Sequence, residues 1–342
     1  MTAASQRAKL RIGLIGVSGH FARPLEIVAR RPDLELVAVA PAHPAEHLDR
    51  VRRHAAFTSQ TYALSSGDEL LEAVELDAVI VNPPYGLNAH YITAAVRRGV
   101  AVYAEKPFAT RLDALAALRQ ALQERPTPLV GMFELRAHPV VATAARLVRS
   151  GAIGRPVGAF GQKTYKFDPA TRPAWYAQPE MYGGAIPWVA IHAIDWTRYI
   201  TGCEFHAVSA VQEPFGTGPM ASVEMAGGIL YSLASGGAAL ISFDYLRPAS
   251  APSHGDDRFR IIGTEGELWG CVERGELLLL DKHGQRAVAL DTPVSLFERF
   301  VDALLNPERP MPMTAEDGLA STEAALWARE AAQRGERLLL PS

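Results

Sequence analysis

A lysine at the end of a predicted strand is the residue of this sequence best suited to chemistry. Residues 100–103 are apolar and lead into Glu105-Lys106-Pro107, and the chain uses only five lysines against 29 arginines. A desolvated ammonium can hold an alcohol oxygen and exchange a proton, whereas a guanidinium effectively cannot. Open parallel sheets bind ligands at the carboxyl ends of their strands. These residues therefore predict a site of proton transfer, with a surface ion pair as the alternative.

A glycine-rich turn, GLIGVSGHFA, follows the first predicted strand and precedes a helix. Gly13, Gly16 and Gly19 let the backbone approach a pyrophosphate, which a helix N-terminus then stabilises. In the G-x-G-x-x-G pattern counted from Gly16, Ser18 and Phe21 stand in place of glycines. The serine hydroxyl can donate to a phosphate, whereas the phenylalanine loosens the contact between strand and helix. The turn predicts a dinucleotide site, although glycine is common in any turn of this kind.

The acidic residue that usually follows such a turn by about 20 residues is missing from the end of the second predicted strand. In the segment VAVAPAHPAEH that position holds Pro41. Without a carboxylate for the ribose 2′-hydroxyl, NAD is not selected in the usual way. No arginine follows at once to favour NADP, although Arg50, Arg52 and Arg53 lie further along. The choice between NAD and NADP stays open.

Composition restricts the class of protein. The 342 residues are 48% apolar and 21% charged, as in a soluble globular protein of two domains, and the net charge of −3 favours neither nucleic acid nor a membrane as a partner. Cys203 and Cys271 form neither a disulfide framework nor a metal-site pattern, so we expect a cytoplasmic protein without a metal. The polar N-terminal segment MTAASQRAKL is expected to be a frayed tail and not a secretory signal.

Residues 10–127 alternate between strand and helix patterns, from LRIGLIGV to RLDALAALRQALQE and PLVGMF. The strands are continuously hydrophobic, which indicates burial on both faces. Repeated βα units of this kind make a doubly wound parallel sheet, so residues 1–127 are predicted to form a dinucleotide-binding Rossmann domain. Asp68 is predicted to cap the helix GDELLEAV.

Residues 128–342 have a different pattern and are predicted to form an α+β domain for substrate binding and oligomerisation. Two helices, HPVVATAARLVRSGAIG and GGAIPWVAIHAIDWTRYITG, flank the strand PVGAFGQKTYKF, and several strands follow within residues 208–279. The apolar stretch GGILYSLASGGAALISF is read as two strands joined at a glycine turn and not as a membrane span. A large, mainly antiparallel sheet results. A second copy of the chain would cover its open face, giving a homodimer or homotetramer, and the C-terminal helices pack back on the first domain.

Together these motifs resemble the Gfo/Idh/MocA family, the glucose-fructose oxidoreductase and inositol dehydrogenase group. The resemblance covers nearly the whole chain, and its most specific part is VNPPYGLNAHYITAAVRRGVAVYAEKP. It implies an NAD(P)-dependent oxidoreductase that transfers a hydride between nicotinamide and a hydroxyl carbon of a sugar, polyol or related cyclic alcohol. The fold does not fix the substrate within that class of small hydroxylated molecules.

The resemblance places Lys106 beside the nicotinamide, where it reaches the substrate hydroxyl. Glu105 is then expected to orient the lysine or to contact the cofactor, and Pro107 to fix the turn, with a cis peptide bond as one possibility. The other cofactor contacts that the resemblance implies are Gly13, Gly16, Ser18, Gly19, His20, Phe21, Pro41, Asn82, Pro83, Pro84, His90 and Trp175.

The second catalytic residue that the resemblance implies is His192, as the general base that removes the hydroxyl proton. Family members carry an aspartate four residues earlier, one helical turn away, where this chain has Trp188. Asp195 is a partial substitute for that aspartate, and a hydrogen-bonded core histidine is the alternative for His192. Tyr176 stands where the family has an arginine. The substrate contacts implied are Trp188, Asp195, Arg136, Lys163 and Tyr165.

Two other functions are compatible with the missing carboxylates. The first is a non-redox sensor or regulatory protein that binds a dinucleotide without turnover. The second is an enzyme like the family's NAD-dependent glycosidases, in which oxidation is transient and net redox is zero.

Overall fold

The computed structural model describes residues 9–216 and 218–341, which divide into two compact units. The first unit comprises the chain up to Met132 together with Leu296–Leu319, and the second comprises Phe133–Ser295 and the chain from Ala320 onward. The N-terminal tail predicted from the sequence lies outside the described residues as far as residue 8. The domain limits predicted from the sequence, 1–127 and 128–342, stay predictions.

The first unit is built on a six-stranded sheet in which every pairing is parallel. The spatial order is β3-β2-β1-β4-β5-β6, so the order reverses between β1 and β4. Such a switch point is where open α/β sheets bind ligands. The doubly wound parallel sheet predicted from the sequence is confirmed. Its strands are β1 (Leu10–Ile15), β2 (Leu34–Ala40), β3 (Tyr62–Ala63), β4 (Ala78–Val81), β5 (Ala101–Ala104) and β6 (Leu129–Gly131).

Helices follow the strands of this sheet, and β4 and β5 are buried along their whole length, as strands covered on both faces must be. The helices are α1 (Ala22–Arg30), α2 (Asp49–Arg52), α3 (Gly67–Ala73), α4 (Asn88–Arg98) and α5 (Leu112–Glu124). The cap predicted for α3 is wrong. Ser66 is the N-cap, because its extended backbone lets its side chain accept a hydrogen bond from the Glu69 amide, whereas Asp68 lies within the first turn.

A segment from late in the chain completes the first unit. Helix α9 (Leu296–Leu305) packs against α1, and its Phe297 and Phe300 rings lie 4.9 and 5.6 Å from the ring of Tyr103 in β5. The first turn of α10 (Ala315–Arg334) also belongs here. A Cβ on Gly318 would lie 2.3 Å from a ring atom of Phe108, so this turn packs tightly behind the end of β5.

The second unit is built on a nine-stranded sheet in the order β14-β13-β12-β11-β7-β10-β9-β8-β15. The β7–β10 pairing is parallel and the others are antiparallel, which confirms the mainly antiparallel sheet predicted from the sequence. Its strands are β7 (Pro156–Thr164), β8 (Phe205–Glu213), β9 (Ala226–Leu233), β10 (Ala238–Asp244), β11 (Arg258–Gly263), β12 (Gly266–Cys271), β13 (Glu276–Asp281), β14 (Gly284–Ala287) and β15 (Leu338–Leu339).

Helices cover one face of this sheet. Helix α8 (Ile191–Thr201) packs against β7 and β10, and α6 (Pro139–Arg149) packs against α8, β12 and β13, while the short α7 (Pro179–Tyr182) lies nearby in sequence. The hairpin β9–β10 has the glycine turn predicted from the sequence, and β11 and β12 form a second antiparallel hairpin. Within the described part of the chain, no helix is long and apolar enough to cross a membrane.

The β9–β10 turn gives a test of the fold with a matched control. Gly236 and Gly237 both have positive φ, +86° and +100°, but a Cβ on Gly237 would lie 1.9 Å from the Val157 carbonyl oxygen, whereas a Cβ on Gly236 meets open space. We expect Gly236→Ala to cost about 1 kcal/mol, for backbone strain alone, and Gly237→Ala to cost about 3 kcal/mol. Urea unfolding of both variants measures the difference. Equal losses of stability in the two variants would contradict the close approach of Gly237 to Val157.

Candidate active site

The end of β5 holds a buried lysine. Lys106 is 1% exposed and Glu105 is fully buried, which excludes the surface ion pair left open by the sequence. From α4, the side-chain amide of Asn88 donates to the Glu105 carbonyl at 3.1 Å and to the Pro107 carbonyl at 2.7 Å. The peptide bond between Lys106 and Pro107 is cis. The backbone on both sides of Lys106 is thus held from the neighbouring helix.

The carboxylate of Glu105 joins this strand end to the glycine turn. Its Oε2 accepts a hydrogen bond from the His20 amide at 2.9 Å and lies 2.7 Å from His20 Nδ1, while Oε1 accepts from the Lys106 amide at 3.1 Å. Burial opposes the charge of the carboxylate, but the charges of His20 and Lys106 and the hydrogen bonds from His20 hold the pKa of Glu105 below its usual value. Glu105 is therefore an ionised anchor between β5 and the turn.

The glycine turn leaves no space for side chains at two positions. Gly16 has a φ of +78°, and a Cβ there would lie 2.5 Å from the Pro83 nitrogen. A Cβ on Gly19 would lie 2.3 Å from Glu105 Oε2 and 2.6 Å from Asn82 Oδ1. Glycine is required at both positions, since any side chain would push the turn away from β4 and β5. Gly13 is glycine for a different reason, because it lies within β1 and packs closely against side chains of α3 and of the segment that follows α3.

The residues of this turn fit a dinucleotide. Helix α1 has neither a capping side chain nor an acidic residue in its first turn, so its first amides suit an anion. Asn82, at the end of β4, is fully buried, and among the described residues its Oδ1 has no hydrogen-bond partner. A bound ligand with a donor group can satisfy such an atom. Pro83 and Pro84 follow it directly.

A carboxylate that we did not predict also lies at this turn. Glu46 Oε1 accepts from the Val17 amide at 2.7 Å and from Ser18 Oγ at 2.6 Å, and Oε2 accepts from the Ala42 amide at 2.7 Å. Glu46 therefore links the loop after β2 to the glycine turn. The signal in the sequence is the single glutamate of VAVAPAHPAEH, which local spacing cannot connect to a turn 29 residues earlier.

His90 and Pro41 both contact the first turn of α3. His90 Nε2 is 2.8 Å from Asp68 Oδ1, and both side chains are more than half exposed. The Pro41 carbonyl accepts from the Gly67 amide at 3.1 Å. These contacts account for both residues within the fold, and their roles toward a cofactor stay predictions.

In the second unit, His192 lies in the first turn of α8 and is buried. The residues before it, Ile186–Ala190, form a π-helical turn that contains the buried Trp188. Trp188 and His192 are four residues apart, and the π turn changes the helical period between them. The helix predicted here from the sequence is present, and its first turn is π-helical. Single π turns frequently occur at functional sites.

Asp195 is held by other groups of the second unit. Arg136 donates to its carboxylate from Nε at 2.8 Å and from Nη2 at 2.7 Å, and Ser321 Oγ donates at 2.7 Å. The guanidinium also lies 5.0 Å from the centre of the Tyr199 ring. The buried Arg136–Asp195 pair joins a 3₁₀ turn to α8 and α10, which accounts for both residues structurally; their predicted roles as substrate contacts are untested.

Lys163 and Tyr165 form a buried polar cluster with Asp257 beside α8. Lys163 Nζ pairs with Asp257 Oδ2 and lies 4.3 Å from the centre of the Tyr165 ring and 5.6 Å from that of Trp196. Burial raises the pKa of Asp257 to about 6, although Lys163 opposes the shift. Trp196 is one turn after His192 on α8, so this cluster and His192 share a face of that helix.

Trp175 and Tyr176 belong to a buried aromatic cluster. Their ring centres are 4.6 Å apart, and Tyr176 stacks on Tyr182 at 4.8 Å. The Arg172 guanidinium lies 5.1 Å from the Tyr176 ring, so a cation is present in this segment although not at position 176. The role of Trp175 toward a cofactor stays a prediction.

Comparison with known proteins gives two matches to family models. A model described as an oxidoreductase family with an NAD-binding Rossmann fold matches residues 10–131. A model described as a GFO/IDH/MocA C-terminal domain matches residues 141–269. The two matches are consecutive, and one falls in each unit.

The chain is also similar to named dehydrogenases. It is 27% identical to levoglucosan dehydrogenase of Pseudarthrobacter phenanthrenivorans over 282 residues, which are 73% of this chain and 70% of that protein. It is 28% identical to scyllo-inositol 2-dehydrogenase (NAD(+)) of Bacillus subtilis over 221 residues, which are 63% of this chain and 61% of that protein. A solved structure from Thermotoga maritima, provisionally described as an oxidoreductase, is 33% identical with a TM-score of 0.90, covering 97% of this chain and 100% of its own.

The Glu105 anchor predicts a pH-dependent stability. Because the folded pKa of Glu105 is below its ordinary value of 4.5, the charge stabilises the fold at neutral pH, and the contribution is lost as pH falls through the folded pKa. We expect Glu105→Gln to cost about 2–4 kcal/mol at pH 7 and progressively less below pH 4.5. Urea unfolding of the full chain across this range measures both effects.

Glu26→Gln is the control, because Glu26 is exposed on α1 and its loss should change stability little at any pH. A Glu105→Gln deficit that stayed constant down to pH 3 would contradict an ionised anchor.

Proposed function

The chain belongs to the Gfo/Idh/MocA oxidoreductase family, and from this premise we propose that it is an NAD(P)-dependent dehydrogenase or reductase. Its substrate is a sugar, polyol or related cyclic alcohol, and the named dehydrogenases similar to it act on levoglucosan and scyllo-inositol. When bound, NAD(P) supplies the nicotinamide that accepts or donates the hydride. The observation that carries the proposal is the buried Lys106, which the Glu105 anchor attaches to the glycine turn.

Lys106 has the properties needed to hold a reacting alcohol. It lies at the carboxyl end of β5, next to the switch point, and its burial makes an ammonium interact strongly with a nearby oxygen. The ammonium stabilises negative charge on the substrate oxygen as the hydroxyl proton leaves. Glu105 keeps the local charge balanced and is already engaged by His20, so we assign it a positioning role.

His192 is proposed as the general base. A neutral imidazole accepts a proton near neutral pH without a further cofactor. The buried polar cluster of Lys163, Tyr165 and Asp257 on the same side of α8 is suited to hydrogen-bond additional hydroxyl groups of a polyol. Lys106 belongs to the first unit and His192 to the second.

The open face of the second sheet supports the proposal that the enzyme is a homo-oligomer. Leu230, Leu240 and Phe160 are aligned across β9, β10 and β7, and Arg260 and Trp269 continue the row on β11 and β12. The four apolar side chains are between 43% and 48% exposed, and a cavity of about 1070 Å³ opens on this face. A second copy of the chain presents the same row, so a twofold contact buries both at once.

We further propose that the enzyme works in the cytoplasm. Cys203 and Cys271 are both free thiols within the fold. Free buried cysteines are typical of proteins that work in a reducing compartment.

Lys106→Met tests the proposed function. We expect kcat/KM for the best substrate of a sugar and polyol panel to fall by about 10²–10⁴-fold, because the substrate oxygen loses its charged partner. Lys106→Arg should stay impaired, since the larger planar guanidinium does not place a compact charge at the same buried position. Turnover is followed by cofactor reduction, and thermal unfolding checks that each variant folds.

Lys282→Met is the control, because Lys282 is exposed in the second unit. Full activity of Lys106→Met would refute the role of this lysine. Tight cofactor binding without turnover on any member of the panel would favour the sensor, and release of sugar without net redox would favour the glycosidase-like enzyme.

Leu240→Glu tests the proposed interface. A carboxylate in the middle of the apolar row should weaken self-association at least about 100-fold, since the charge would be buried without a partner. Sedimentation equilibrium measures the change. Tyr62→Glu replaces an exposed aromatic residue of the first unit and should leave the assembly unchanged. A monomeric native chain, or a Leu240→Glu variant that still assembles, would contradict the proposal.

A further inference from the structure

We propose that Glu46 binds the ribose 2′-hydroxyl of the cofactor and thereby selects NAD(H) over NADP(H). The inference rests on the proposed function, because it concerns the cofactor of the same site. The Rossmann pattern assigns this selection to an acid at the end of the second strand, and that position is Pro41 in this chain.

The Glu46 carboxylate is located where the missing acid would act. It accepts hydrogen bonds from the Ala42 amide at 2.7 Å, directly after Pro41, and from Val17 and Ser18 of the glycine turn at 2.7 and 2.6 Å. The carboxylate therefore bridges the carboxyl end of β2 and the β1–α1 turn. A dinucleotide bound at the turn has its adenosine ribose between these two segments.

The carboxylate can accept a hydrogen bond from the ligand by exchanging one of its four present donors. A carboxylate has about four acceptor positions. One is used by the His43 amide at a long distance of 3.3 Å, and another by the Ser18 hydroxyl, which can rotate. Glu46 is only half-buried, so a ribose hydroxyl can replace the long His43 contact or the rotatable Ser18 hydroxyl while the amides of Val17 and Ala42 keep their bonds.

The same charge acts against NADP(H). A 2′-phosphate would bring two negative charges next to a carboxylate that is held in place by backbone amides. Arg50 also lies near the turn, with its guanidinium 5.2 Å from the centre of the Phe21 ring. The carboxylate of Glu46 bonds directly to Val17 and Ser18 of the turn, so we expect its charge to outweigh that of Arg50 in the choice of cofactor.

Equilibrium binding of NADH and NADPH to the full chain, measured by calorimetry, tests the inference. We expect the native chain to bind NADH at least about tenfold more tightly than NADPH. Glu46→Gln should reduce this ratio at least about tenfold, mainly by improving NADPH binding, because it removes the charge and keeps one oxygen acceptor. Glu46→Asp keeps the charge and should keep the preference for NADH. Glu26→Gln, at an exposed position of α1, should leave the affinities for both cofactors unchanged.

Each alternative has its own result. If Glu46→Gln weakens both cofactors equally, Glu46 only braces the loop, and if it strengthens both equally, Glu46 is an internal anion that the cofactor must displace. Either result overturns the inference, as does a native preference for NADPH or loss of the NADH preference in Glu46→Asp. If the folded native chain binds neither cofactor, the proposed function is overturned as well. The results above overturn only the role of Glu46, so the two failures can be told apart.

Discussion

The candidate site depends on one buried negative charge, the Glu105 carboxylate. A charge without solvent is costly unless it is paired and hydrogen-bonded, and here two donors from His20 and the nearby Lys106 compensate for it. The same carboxylate requires glycine at position 19, because a Cβ there would collide with it. Thus the glycine turn, the strand end and the lysine are parts of one electrostatic arrangement.

The fold could be predicted because its signals are local. Continuous hydrophobicity in the strands of residues 10–127 identified a parallel sheet, and glycine turns such as Gly236-Gly237 identified hairpins. The position of Lys106 at a strand end followed from the same patterns. An error arose where a neighbour competed with the expected residue, because Ser66 rather than Asp68 caps α3. The π turn at Trp188 lies within a helix that was predicted, but its change of helical period has no local signal in the sequence.

The contacts that organise the site could not be predicted, because they join segments far apart in sequence. His20 and Glu105 are 85 residues apart, and Arg136 and Asp195 are 59 apart. Hydrophobic periodicity indicates which face of an element is buried, but it does not indicate which polar side chain meets which. The resemblance to a family supplied Lys106 and His192 as candidates, whereas only the folded loop after β2 shows that Glu46 meets the glycine turn.

The shared carboxylate also has an evolutionary consequence. Since residues 19, 20 and 105 interact through the same oxygen atoms, the effects of mutations there are non-additive, and a viable alternative requires coordinated replacement of several residues. Evolution by single substitutions is therefore obstructed at this turn and strand end, and change there must pass through combinations of residues.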